Sequence, residues 1–264
     1  MLTAARSGRN SEKDMGITAA MLSFVLLILE RTVSEGASAA TAAISKRIGS
    51  QETLLPRNVT RTHNPRKKRS YYYGLEYRKS EMCQEIDFVS REEWGAKLPK
   101  AVNYFSINGG VSFVLFHHTE GKGCFSKEKC AEIVLKWQEV HQSYQGWDDI
   151  GYNFMIGGNG MVLEGRGWNH VGAHTVGFNN KSVSLGFVGD YSRQVPNERM
   201  IMAAMQLIEC GIRLKKISPG YTLHGQTDAN CRRCPGEAFH AFMESMPRFG
   251  GRLKDYICTP SPWK

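Results

Sequence analysis

Apolar side chains along this chain change their period several times, and each change marks an element. Val111 to Phe116 is a short apolar run with aromatic and β-branched residues, which predicts a buried central strand. From Ser126 to Gln142 the pattern becomes helical, with Ile133, Val134, Trp137 and Val140 on one face and Ser126 placed as the N-cap. Tyr152 to Ile156 and Val162 to Gly165 read as strands joined by the turn 157-GGNG-160, a hairpin signal. Val183 to Val188 reads as a further strand. Pro196 and Asn197 open a long amphipathic helix over Glu198 to Leu214, and Pro235 opens another through Phe242. Strands and helices alternate irregularly, and no internal repeat is visible. The expected fold class is α/β, a single domain with a central mixed β-sheet flanked by helices.

Composition places that domain within the chain. The 264 residues are 41% hydrophobic, enough for a substantial core, and the globular pattern occupies residues 81 to 264. The net charge of +9 is concentrated ahead of it: residues 40 to 80 carry ten basic and two acidic side chains, whereas residues 81 to 264 carry 20 and 19. The domain is therefore near neutral, and no nucleic-acid partner is expected. Residues 40 to 80 lack periodicity and read as a basic, disordered linker. Within it, 66-RKKRS-70 has the spacing that proprotein convertases cut, though a solvated basic run has the same composition. The apolar stretch Gly16 to Leu29 spans about 21 Å as a helix, short of the ~30 Å hydrocarbon core. With the small residues 36-GASAA-40 after it, the segment 1–39 reads as a signal peptide, and a tilted type II membrane anchor is the alternative. A secreted chain would make Asn58 and Asn180 glycosylation acceptors.

Seven cysteines, at 83, 124, 130, 210, 231, 234 and 258, leave one thiol over. Zinc chemistry needs about three protein ligands in a tetrahedral array with a fourth position open. The candidates are His117 or His118, His224, and one of Cys231 and Cys234. Successive strand side chains face opposite ways, so His117 and His118 do not both ligate from a regular strand. These residues form no short ligand motif, and hydrogen-bonded structural histidines are the alternative.

The ordered strings 89-VSREEWGA-96, 116-FHHTEG-121, 146-GWDDIGYNF-154, 163-LEGRGWNHVGAHTVGFN-179, 182-SVSLGFVGDY-191 and 234-CPG-236 closely resemble animal peptidoglycan recognition proteins, relatives of phage-type N-acetylmuramoyl-L-alanine amidases. The resemblance covers about Cys83 to Phe249. It implies the amidase fold and one zinc ion, with His117, His224 and Cys234 as ligands and Tyr152 as the catalytic tyrosine. Such a site activates a water to cleave the amide between N-acetylmuramic acid and L-alanine. The family's determinants for meso-diaminopimelate correspond to Gly146, Trp147 and Arg166, the guanidinium suiting the extra carboxylate of that residue. His174 corresponds to a groove residue, and Trp168 joins the expected substrate-binding set, core packing being the alternative for both Trp147 and Trp168. The resemblance also pairs Cys124 with Cys130 and Cys83 with Cys210. Parity then pairs Cys231 with Cys258.

The chain departs from the family in one stretch. The second histidine and the ligand cysteine usually stand eight residues apart, whereas His224 and Cys234 stand ten apart, which reads as a two-residue insertion. Arg232 occupies the place of the family's threonine or lysine and is a candidate for oxyanion stabilisation. Cys231 becomes a rival ligand, and Gly225 replaces the usual arginine. The primary expectation is a secreted zinc amidase acting on bacterial peptidoglycan in innate immunity. The alternative is a non-catalytic receptor that binds peptidoglycan and signals or recruits immune partners.

Overall fold

The structure, a computed structural model, describes residues 83–258. The segment 1–39, the linker with its basic cleavage motif and Asn58 lie outside the described residues. Six strands form one sheet: β1 (Phe88–Val89), β2 (Val111–His118), β3 (Phe154–Ile156), β4 (Val162–Glu164), β5 (Ser182–Phe187) and β6 (Ile217–Gly225), in the order β1-β4-β3-β5-β2-β6. The β3–β4 hairpin is antiparallel and every other pairing is parallel, so the sheet is mixed. Among the described residues three α-helices cover it: α1 (Lys127–Glu139), α2 (Glu198–Arg213) and α3 (Glu237–Met243). None of the helices among the described residues is long and apolar enough to cross a membrane.

Local chemistry sets the element ends. Ser126 caps α1 by accepting from Lys129 N, and Asn197 caps α2 by accepting from Met200 N. The first helix does not continue regularly to Gln142: after Glu139 it widens into a π-helical turn over Val140–Tyr144. The bond from Gln145 N to Val140 O closes that wider turn, and Trp147 N then donates to His141 O, which turns His141 and Gln142 inward. The third helix starts at Glu237 instead of Pro235, because Gly236 holds φ at 103°. A Cβ there would lie 2.4 Å from the backbone of Tyr191.

β6 is longer than the strand implied at 221-YTLH-224. Pro219 and Gly220 interrupt its apolar pattern, and the pairing with β2 jumps from Val111↔Ile217 to Phe113↔Thr222, so the intervening residues bulge outward. On its other side β6 pairs with the chain again through the bridge Leu223↔Phe249, with Leu223 N donating to Arg248 O and Gly250 N to Leu223 O.

The main core lies between the sheet and α2 and α3, where Phe116, Phe187 and Phe239 pack as an aromatic trio with ring centroids 4.7–5.8 Å apart. A second cluster under α1 contains Trp94, Val134, Ile150 and Leu163. Disulfides join Cys83 to Cys210, Cys124 to Cys130 and Cys231 to Cys258, and Cys234 is a free thiol.

Candidate functional site

Strand β2 delivers the double histidine, and the pleat separates the two side chains. His117 and His118 are both buried, at 1% and 4% exposure. The ring of His118 turns toward the 190 loop, where its Nδ1 accepts from Tyr191 N, and Asp190 and Glu120 lie 3.7 and 3.9 Å away. His117 faces the other way, with Nδ1 3.5 Å from Cys234 Sγ and Nε2 3.5 Å from Thr175 Oγ1. Its ring lies 5.4 Å from that of Tyr152 and 5.2 Å from that of His174. Cys234 also accepts from the backbone N–H of His118. Burial pushes the His117 imidazolium down to about 3 and the Cys234 thiol up to about 12, so in the metal-free protein the pair is a neutral imidazole beside a thiol.

These two residues would suit a metal. Zinc ligation lengths of about 2.0 Å to nitrogen and about 2.3 Å to sulfur place two tetrahedral ligands roughly 3.5 Å apart. The expected third ligand is elsewhere. In the parallel register His224 lies beside Leu115, two residues short of His117, which is about 6.6 Å back along the strand. There its Nδ1 meets Gly251 O at 2.8 Å, its Nε2 meets Thr222 Oγ1 at 2.7 Å, and its ring packs on Phe113. Among the described residues no group of three His, Cys, Asp or Glu side chains could hold a metal ion. The residues present do not fit a three-ligand zinc site.

Continuing the register past Phe116↔Gly225 brings Gln226 level with His117. Gln226 stands eight residues before Cys234, so the family spacing is intact and the two-residue insertion disappears. The residue after the ligand place is Thr227, not Gly225. The Gln226 side chain hydrogen-bonds His117, and its Nε2 donates to His174 O at 2.9 Å. Sequence reasoning passed over it because a histidine two residues earlier drew the assignment; counting backward from Cys234 would have found it. Cys231, the rival ligand, is committed to its disulfide with Cys258.

Around this centre stand the other expected residues. Tyr152 is half-buried, and burial raises its phenol well above the ordinary value, so it remains a hydroxyl. His174 bonds Thr175 Oγ1 through Nδ1, and its buried Nε2 has no hydrogen-bond partner. Half-buried Trp147 stacks on His141 at 4.7 Å and 20°, while Gly146 before it is exposed with φ at 70°. Arg166 is neither a free clamp nor a surface ion pair. It is 8% exposed, with Nε donating to Ile150 O and its terminal nitrogens to Val171 O and Asp149 O. Trp168 does not face the site: it is 1% exposed and packs 4.5 Å from Phe154 in the main core. Arg232 is exposed on the loop before Cys234, and Asn180 is exposed in the turn Asn179–Lys181.

The exit of β6 is clamped to α3. Asp228 accepts from Gly225 N at 2.8 Å, and His240 Nε2 lies 3.0 Å from both of its carboxylate oxygens. The hydrogen bond to Asp228 raises the His240 pKa above 6.5, with Asp228 and Glu244 charges adding to it. A raised folded-state pKa contributes stability that is full below the unfolded value near 6.5 and is lost as pH rises through the folded one. Titrating thermal stability from pH 5 to 8.5 should show this decline, and His240→Gln should flatten it. An unchanged slope in the variant would assign the pH dependence to other groups.

The family model for N-acetylmuramoyl-L-alanine amidase matches residues 108–237. Peptidoglycan-recognition protein LB of Drosophila melanogaster is 40% identical over 162 residues, covering 61% of this chain and 69% of that protein. Peptidoglycan-recognition protein SC1a of the same species is 37% identical over 155 residues, 59% of this chain and 83% of the relative. Among solved structures, wild-type Drosophila PGRP-LB aligns with a TM-score of 0.61 at 38% identity, covering 63% of this chain and 98% of that one. One chain of the ectodomain complex of recognition proteins LCa and LCx bound to tracheal cytotoxin aligns at 0.60 with 36% identity, covering 62% of this chain and 99% of that one.

Proposed function

Because the chain belongs to the peptidoglycan recognition protein family, we propose that its site binds muropeptides and serves recognition rather than hydrolysis. One observation carries this reading. The register of β2 and β6 gathers His117 and Cys234 but commits His224 elsewhere, so the donor set needed for zinc-assisted amide cleavage is incomplete. What remains is a group of polar and aromatic side chains suited to holding a ligand. His174 Nε2 has unspent hydrogen-bonding capacity, Tyr152 keeps its hydroxyl, and Trp147 offers a half-exposed ring supported by His141. The zinc amidase expected from sequence is the second reading, supported by the family match and by the intact His117 and Cys234 pair.

Gly146, Trp147 and Arg166 favour stem peptides with meso-diaminopimelate. The guanidinium is held by backbone carbonyls beside Asp149, so it would favour the extra carboxylate through its charge beneath the groove and not as a bidentate clamp. The three disulfides suit an oxidising, extracellular setting, consistent with secretion, and signalling partners would then read the bound state. Calorimetric titration with both muropeptide types should show about tenfold tighter binding of the diaminopimelate form, a difference of about 1.4 kcal/mol. Equal affinities would remove the specificity assignment. Release of free stem peptide from zinc-supplied protein would restore the amidase reading.

A further inference from the structure

We infer that Gln226 takes the place of the missing zinc ligand as a hydrogen-bonded bridge, and that this single residue separates the present site from a complete His-His-Cys zinc site. Its Nε2 donates to His174 O at 2.9 Å, and the same side chain hydrogen-bonds His117. The bridge ties β2, the 174 segment and the exit of β6 together, the task a metal would otherwise perform for its ligands. A neutral amide oxygen is a poor zinc ligand beside imidazole and thiolate. The other two members are in position: His117 Nδ1 and Cys234 Sγ stand 3.5 Å apart, with His117 buried and Cys234 half-buried. The sequence spacing agrees, since residue 226 is eight before Cys234.

Zinc affinity of the purified full-length protein tests this directly. Wild type should retain no stoichiometric zinc after dialysis against weak chelator. Gln226→His should hold about one zinc per chain. Its affinity should rise by roughly 100-fold or more, because a first ligand counts for at least the 10–100-fold carried by an outer-shell partner. Adding Cys234→Ser to that variant should return the affinity to the wild-type level. Stoichiometric zinc on the wild type, lost on His117→Ala, would overturn the inference whether or not Gln226→His folds. So would a folded Gln226→His chain, judged by an unchanged near-ultraviolet spectrum, that gains no zinc. Muropeptide titration of the wild type with and without chelator is read separately. Absence of muropeptide binding would remove the recognition reading and leave the metal result standing.

Discussion

Trp168→Ala is expected to lower stability by about 3–5 kcal/mol, the range for emptying a large aromatic site in a core. The indole is 1% exposed and tilts against Phe154, and α2 passes so close that a Cβ on Gly211 would lie 2.6 Å from its ring. A glycine on one side and a phenylalanine on the other leave little freedom to collapse into the void, so the cost should fall in the upper part of that range. Trp168→Phe should cost less, since much of the volume is kept. Denaturant unfolding of the three proteins measures both values. Muropeptide affinity per folded molecule should change little in Trp168→Phe. A variant as stable as wild type but deficient in binding would return Trp168 to the ligand surface.

The second large effect concerns Cys83 and Cys210, which close a loop of 127 residues between the first described turn and the last turn of α2. Loop-closure entropy for that separation is about 5 kcal/mol, against about 2 kcal/mol for the six-residue staple Cys124–Cys130. Domain stabilities of about 5–15 kcal/mol make the first value a large share of the total. The double replacement Cys83→Ala, Cys210→Ala should therefore reduce unfolding free energy by about 3–5 kcal/mol, and Cys124→Ala, Cys130→Ala by roughly half as much. Paired denaturant curves decide the order. Equal losses would show that local packing, and not chain closure, sets the contribution of each bridge.

Much of the scaffold was legible because its signals are local. β2 announces itself through aromatic and β-branched residues, α1 and α2 through their caps, and the hairpin through 157-GGNG-160. The π-helical turn was not legible, since one extra residue per turn leaves the apolar period almost unchanged over a five-residue span. The site divided in the same way. Strand alternation separated His117 from His118 correctly in principle, and the structure shows which face each takes. The second ligand failed because its place depends on how β6 slides along β2. That slide is set by the bulge around Pro219 and Gly220, which residue types alone do not specify. Trp168 failed for a related reason: a tryptophan in a motif next to Arg166 carries no mark telling core from groove until α2 is laid across it.

The pairing of Leu223 with the 248–250 segment has a consequence for crowding. β6 ends the sheet, and a bare terminal strand is where a neighbouring molecule could attach backbone to backbone. Here the chain's own downstream segment already occupies the hydrogen-bonding groups of Leu223, and exposed Pro219 lacks an N–H to offer. The middle of β6 is therefore closed to strand addition by a neighbouring copy, which removes one seam along which crowded molecules could join backbone to backbone.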